Sequence, residues 1–213
     1  MVGNATVIDL GIGNTSSVCN LLTRIGMPWS KSREPVEASG FYFLPGVGAF
    51  DVGMEALHAS GWAKTLSSLN PSQTVVGICL GMQLLCEGSE EGTSQGLGLL
   101  PGKLQKFRFD DAPEQAKLKV PHMGWNTVRP LQQKLGWLDE AVAEEDSRFY
   151  FVHSYFYPLN SHPEVELGAT RHGAEFVSVV GSANVFGFQF HPEKSHHYGS
   201  LLMRRILENF FVA

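Results

Sequence analysis

Cysteine is scarce in this chain of 213 residues: there are three, Cys19, Cys79 and Cys86. An odd number, sitting in or beside helix-like segments, argues against a secreted disulfide framework and for a reducing compartment, so a cytoplasmic location is expected. Charge is sparse too, at 17% of residues, and leans negative, with 16 Lys and Arg against 21 Asp and Glu. That leaves no basic footprint for a nucleic-acid backbone, and no nucleic-acid partner is expected. No apolar run approaches the roughly 20 residues of a membrane-spanning helix, so no membrane partner is expected either. The first basic residue, Arg24, comes too late for a signal peptide built around the apolar stretch at residues 5–10, and the chain reads as complete at its N-terminus. What is present is ordinary for a globular protein: 43% hydrophobic residues, in a length that suits one domain, residues 1–213.

The hydrophobic period alternates along the first half. Strands are expected at residues 5–10, 41–45 and 74–79, and helices at 15–26, 51–60 and 80–87. Such alternation means βαβ units and a parallel sheet covered on both faces. From about residue 103 the rhythm changes to strand-like stretches at 103–109, 123–128, 148–153, 166–171, 175–181 and 185–190. These are expected to add antiparallel strands beside the parallel core. Tyr198 to Phe211 has apolar residues at helical spacing and reads as an amphipathic closing helix, while residues 110–119 and 144–146 read as polar loops. The expectation is an α/β fold: a mostly parallel sheet flanked by helices, with added antiparallel strands.

Within this frame, Thr74-Val-Val-Gly-Ile-Cys-Leu-Gly-Met-Gln83 runs from a β-rich stretch through a Gly-flanked cysteine into a helical pattern. That is how a chain builds a sharp strand-to-helix turn with a nucleophile at its apex. Gly77 and Gly81 remove side chains where the turn is tight, which leaves Cys79 exposed at the helix N-terminus, where backbone N–H groups meet incoming negative charge. A lone cysteine is more often an inert core residue. Two glycines at elbow spacing favour the nucleophile.

A thiol needs a base, and Val185-Phe-Gly-Phe-Gln-Phe-His-Pro-Glu193 supplies one. In extended backbone, positions i and i+2 project to one side, so Glu193 is expected to reach one ring nitrogen of His191 and leave the other for the thiol. Cys79, His191 and Glu193 then form a triad. A negative oxygen developing on a carbonyl must be met by fixed donors. The elbow offers the N–H of Leu80, and Pro45-Gly-Val-Gly48, a loop after a strand, offers Val47 or Gly48. Gln83 lies one helical turn beyond Cys79 on the same face. His196 and His197 are adjacent and diverge, and no spacing in the chain matches a known zinc pattern, so no metal is expected. His58, His162 and His172 have no chemical context and read as surface residues.

Gly77-Ile-Cys-Leu-Gly-Met-Gln83 together with Phe190-His-Pro-Glu193 resembles the class I, or triad, glutamine amidotransferase family over nearly the whole chain. The resemblance implies a flavodoxin-like three-layer fold, hydrolysis of L-glutamine to glutamate and ammonia, and no cofactor. It implies that the loop at Val47 and Gly48 serves the oxyanion and that Gly46, Gln83, Glu91, Ser154 and Tyr155 hold glutamine. Four further segments, Leu44-Pro-Gly-Val-Gly48, Pro121-His-Met-Gly-Trp-Asn126, Tyr150-Phe-Val-His-Ser-Tyr155 and His191-Pro-Glu-Lys-Ser195, resemble the branch of glutaminase subunits that serve histidine biosynthesis. That branch implies a heterodimer with a cyclase subunit built as a (βα)₈ barrel, for which this chain has no length. By analogy His122, Met123, Trp125, Tyr150 and Lys194 line the docking face, and large aromatic side chains commonly anchor such faces. Leu10 and Thr15 depart from the Asp-Tyr-Gly and Gly-Asn-Leu wording of the branch. A glutaminase subunit of another synthase, for surface-sugar, anthranilate or purine synthesis, therefore stays open, as does a cysteine peptidase on the same sheet. Gln83 and the Pro-Gly-Val-Gly loop speak against the peptidase.

Overall fold

The apolar runs of the first half become the middle of a sheet. The computed structural model describes residues 4–36, 39–109, 118–131, 136–144 and 146–210. Its first half alternates β1 (Ala5–Ile8), α1 (Thr15–Arg24), β2 (Trp29–Ser32), β3 (Phe41–Gly46), α2 (Phe50–Ala59), α3 (Trp62–Ser67), β4 (Thr74–Cys79) and α4 (Leu80–Leu85). Every residue of β1, β3 and β4 is buried, as strands covered on both faces require. β2 reads Trp-Ser-Lys-Ser, with no apolar alternation to announce it, and survives as an edge strand that pairs, among the described residues, only with β1.

The second half contributes β5 (Gly88–Ser89), β6 (Lys103–Lys106), β7 (His122–Asn126), β8 (Arg129–Pro130), α5 (Gly136–Ala141), β9 (Phe149–His153), β10 (Tyr155–Pro158), β11 (Glu166–His172), β12 (Ala174–Ser182), β13 (Val185–Phe188) and α6 (His196–Phe210). β13 returns to pair in parallel with β4, which gives the parallel order β2-β1-β3-β4-β13. That is the doubly wound arrangement, whose ligand crevice lies beyond the carboxyl ends of the strands. β12, β10 and β11 extend it with antiparallel pairings. Two expected strands do not join this sheet. β7 and β9 pair with each other as a separate antiparallel ribbon, with His122 opposite His153 and Trp125 opposite Tyr150.

Two apolar clusters fill the space on either side of the sheet. One gathers Val7, Phe43 and Ile78 with Val18 and Leu22 of α1 and Leu202 and Ile206 of α6. The other gathers Tyr42, Leu44 and Val75 with Met54 of α2, Trp62 of α3 and Leu84 of α4. This is the three-layer arrangement. Of the expected polar loops, residues 110–117 and 145 lie outside the described residues, as does the last residue of the expected closing helix, Phe211. Among the described residues no helix is long and apolar enough to cross a membrane.

Candidate active site

β4 ends on Cys79 and α4 begins on the next residue. Cys79 has φ 54° and ψ −110°, a backbone conformation that costs energy for any residue with a side chain and so marks a turn imposed by its surroundings. The flanking glycines are what permit it. A Cβ on Gly77 would lie 2.6 Å from the backbone nitrogen of Met82, and one on Gly81 would run into the carbonyl oxygen of Leu44. Cys79 is not exposed, contrary to expectation: it is 6% accessible. The ribbon of β7 and β9 comes over the apex, with the carbonyl oxygen of Val152 3.8 Å from the sulfur. The sulfur instead lines a cleft of about 270 Å³, shared with Val47, Gly48, Gln83, Glu91, Ser154 and Tyr155.

His191 follows β13 and is tied to the ribbon. Its backbone N–H donates to the Tyr150 carbonyl at 2.8 Å. The Ser195 hydroxyl donates to the His191 carbonyl at 2.6 Å and accepts from the Tyr150 N–H at 3.0 Å. Glu193 reaches His191, Oε1 to Nδ1 at 2.8 Å, but not through strand alternation. Pro192–Lys194 is a turn of 3₁₀ helix, and that turn swings the carboxylate back under the ring. The two side chains are 2% and 4% accessible. Burial alone pushes the imidazole pKa down; the Cys79 sulfur and the Glu193 carboxylate outweigh it and hold it up at about 9. Nε2 makes no hydrogen bond of ordinary geometry within the protein and looks onto the Cys79 sulfur. The three residues thus form a Cys–His–Glu array in which the carboxylate fixes the proton on Nδ1.

The loop after β3 is held close to this array. Gly46 stands opposite Cys79 in the β3–β4 register, and a Cβ on it would press on the Leu80 side chain at 3.1 Å. Gly48 has φ 108°, in the region that favours glycine, and Val47 is 44% accessible. Glu91 is no solvated turn residue: Oε2 accepts from the Phe50 N–H at 3.0 Å, capping α2, and the carboxyl remains in the cleft wall, its pKa raised by burial. Gln83 is 5% accessible, and its amide nitrogen donates to Oε1 of Gln189 at 3.2 Å. Gln189 and Val152, both within 3.8 Å of the sulfur, are the neighbours that sequence reasoning missed.

The ribbon has two faces because strand side chains alternate. Met123 and Trp125 point outward, 63% and 48% accessible, and Trp125 packs edge-on against Tyr150 at 5.7 Å and flat on His196 at 5.2 Å. Lys194 Nζ stands 5.7 Å over the Tyr150 ring. His122 does not belong to this outward face. It is 4% accessible and turned inward by the same alternation, in contact with His153 and stacked on His172, which is therefore not a bare surface residue. The tautomers follow from the partners: Nδ1 of His153 donates to the Tyr155 carbonyl, so its Nε2 accepts from Nδ1 of His122, whose Nε2 accepts from Asn126. Burial pushes both rings down, His122 to about 4 and His153 to about 3, which keeps the chain of bonds neutral. Among the described residues no group of three or more His, Cys, Asp or Glu is arranged to hold a metal ion.

An elbow cysteine with an oriented histidine, on a doubly wound sheet, is the signature of an acyl-transferring hydrolase, and here the sequence as a whole narrows the class. Residues 6–213 match the family model of class-I glutamine amidotransferases, and the chain belongs to that family of enzymes. Among curated proteins it is 40% identical over 206 residues to the imidazole glycerol phosphate synthase subunit HisH of Bdellovibrio bacteriovorus, covering 95% of this chain and 98% of that one. It is 44% identical, with the same coverage, to the subunit HisH 2 of Pseudomonas aeruginosa. Among solved structures, a glutamine amidotransferase superposes with a TM-score of 0.69 at 19% identity, over 98% of this chain and 99% of that one. The PurLQS structure from Thermotoga maritima gives 0.66 at 18% identity, over 98% of this chain and 99% of that one, and shares the fold.

Proposed function

We propose that this protein, a single-domain chain, is the glutaminase subunit of an imidazole glycerol phosphate synthase. It hydrolyses L-glutamine at Cys79 and hands ammonia to a cyclase subunit with a (βα)₈ barrel, in a cytoplasmic heterodimer of histidine biosynthesis. The observation that carries the reading is the buried His191–Glu193 pair at 2.8 Å facing the sulfur of an elbow cysteine, in a chain that matches subunits of that synthase along nearly its full length.

Cys79 passes its proton to His191 Nε2, and the thiolate attacks the carboxamide carbon. The oxyanion is met by the N–H of Leu80 and by that of Val47 or Gly48. His191, protonated and oriented by Glu193, returns the proton to the leaving nitrogen, and ammonia departs from a Cys79 thioester. Water activated by His191 then releases glutamate. The amino-acid end of the substrate lies along Gln83, Glu91, Ser154 and Tyr155, with the carboxyl of Glu91 toward the α-ammonium and Gly46 keeping the loop close. Met123, Trp125, Tyr150 and Lys194 form the docking face beside the cleft mouth, so that ammonia leaves toward the partner.

The test is capture of the partner by the full chain from its source cell, followed by paired assays. Cys79→Ala is expected to abolish glutamine-dependent product formation while added ammonium salts still support it. Glutaminase activity surviving in Cys79→Ala contradicts the assignment, as does capture of a synthase of another pathway.

A further inference from the structure

The triad leaves one residue at the sulfur unused. Gln189 follows β13, is fully buried, and its backbone N–H donates to the Ser178 carbonyl at 3.0 Å. Its side chain bridges two others: Oε1 accepts from Gln83 Nε2 at 3.2 Å, and Nε2 stands 3.8 Å from Cys79 Sγ. Buried amides have to be paired, and this pairing has a direction. Because Gln83 donates to the Gln189 oxygen, the Gln189 NH₂ group, and not its carbonyl, faces the sulfur.

Besides His191, the carbonyl oxygen of Val152 also stands near the sulfur, at 3.8 Å. A carbonyl accepts from a thiol and repels a thiolate. Once the proton has moved to His191, the sulfur therefore loses one partner and gains a negative charge in a buried place. An N–H donor matters little to a neutral thiol, whereas to an anion it makes a charge-assisted hydrogen bond. We propose that Gln189 is a catalytic residue that donates to the Cys79 thiolate, and that Gln83 is a positioning residue that holds the Gln189 amide in the donating orientation. The proton balance is closed: the S–H proton resides on His191 Nε2, and the thiolate accepts from the imidazolium on one side and from the Gln189 amide on the other. This assignment rests on the reading of Cys79 as the nucleophile.

The experiment measures alkylation of Cys79 by iodoacetamide in the full-length protein, followed on the Cys79 peptide by mass spectrometry across pH. It needs no glutamine, so its failure is distinguishable from failure of the glutaminase reading, which the Cys79→Ala assays decide. Gln189→Met removes the donor at similar size. Gln189→Glu keeps an acceptor for Gln83 but turns carboxylate oxygen to the sulfur. Both are expected to slow alkylation at neutral pH by about tenfold, the loss of one hydrogen bond to a charged group, with the deficit closing at alkaline pH. Gln83→Leu frees the Gln189 amide to turn and is expected to cost less, about threefold. Wild-type alkylation rates in folded Gln189 variants overturn the proposal. If neither variant folds, the unsubstituted protein decides: the Gln189 side-chain amide resonances should move further with pH in the wild type than in Cys79→Ser, where His191 still changes charge, and equal movement in both overturns it.

Discussion

Replacing Glu193 by Gln keeps the shape beneath His191 and removes only the charge. The amide oxygen still accepts from Nδ1 at the position where Oε1 now stands, 2.8 Å away, and with both side chains almost wholly buried neither salt nor solvent screens the change. A hydrogen bond to an ionised partner stabilises by roughly 1 kcal/mol more than a neutral one, which corresponds to about one unit of pKa. His191, held at about 9 in the native protein, is then expected to lose its proton about one unit lower. Its proton is needed by the departing ammonia, so activity is retained below the imidazole pKa and lost as pH rises through it. The alkaline limb of the glutaminase profile, measured on the complex with its partner, should move down by about one unit, so that kcat falls by up to about tenfold on that limb and changes much less at neutral pH. Stability gives a second check with its own sign. The folded value of His191 lies above its ordinary 6.5, so its contribution is fully present below that pH and lost as pH rises through about 9. The variant should be less stable than the wild type in mildly acidic buffer and match it in strongly alkaline buffer. An unmoved alkaline limb, with stability differences independent of pH, would refute the argument.

His122 and His153 predict the opposite slope. Their folded values, about 4 and about 3, lie below the ordinary 6.5, so their contribution is complete above that pH and is lost as pH falls through those values. Urea unfolding should show stability declining below pH 6.5 by about 1.4 kcal/mol per pH unit for each ring, with a shallower decline in His153→Phe; an unchanged slope in that variant contradicts the neutral His122–His153 chain. At the docking face, Trp125 is half exposed and packs on Tyr150 and His196, so Trp125→Ala should leave the unfolding midpoint nearly unchanged while weakening the partner by about 2 kcal/mol or more in titration calorimetry. Unaltered affinity removes Trp125 from the interface.

The parts of the site that could be read from the chain are those whose geometry is local. Gly77 and Gly81 bracket Cys79 within one turn, and Glu193 is two residues from His191, so their relation survives even though a 3₁₀ turn, and not an extended strand, creates it. The βαβ rhythm is legible for the same reason: β1, β3 and β4 are short, mostly apolar runs, buried along their whole length. What was hidden depends on contacts distant along the chain. Val152 approaches Cys79 across 73 residues and Gln189 across 110, through the ribbon and through the β4–β13 pairing, and no periodicity encodes either. Analogy groups His122 with Met123 and Trp125 on the docking face, but a one-residue step along a strand turns its side chain to the opposite side. The apparent exposure of Cys79 failed likewise, since the ribbon that covers the apex comes from elsewhere in the sequence. Trp62 to Ser67 and Gly136 to Ala141 form helices too short to show a period.

The central claim is that Cys79 becomes acylated by glutamine. Intact-protein and peptide mass spectrometry of the rapidly quenched complex, supplied with L-glutamine, should find a glutamyl thioester on Cys79 and on neither Cys19 nor Cys86, which are buried away from the cleft. It should form far more slowly in His191→Asn, which lacks the proton carrier, and be absent in Cys79→Ser. Glutamate released with no adduct on Cys79, at the same rate in wild type and Cys79→Ser, would contradict the account.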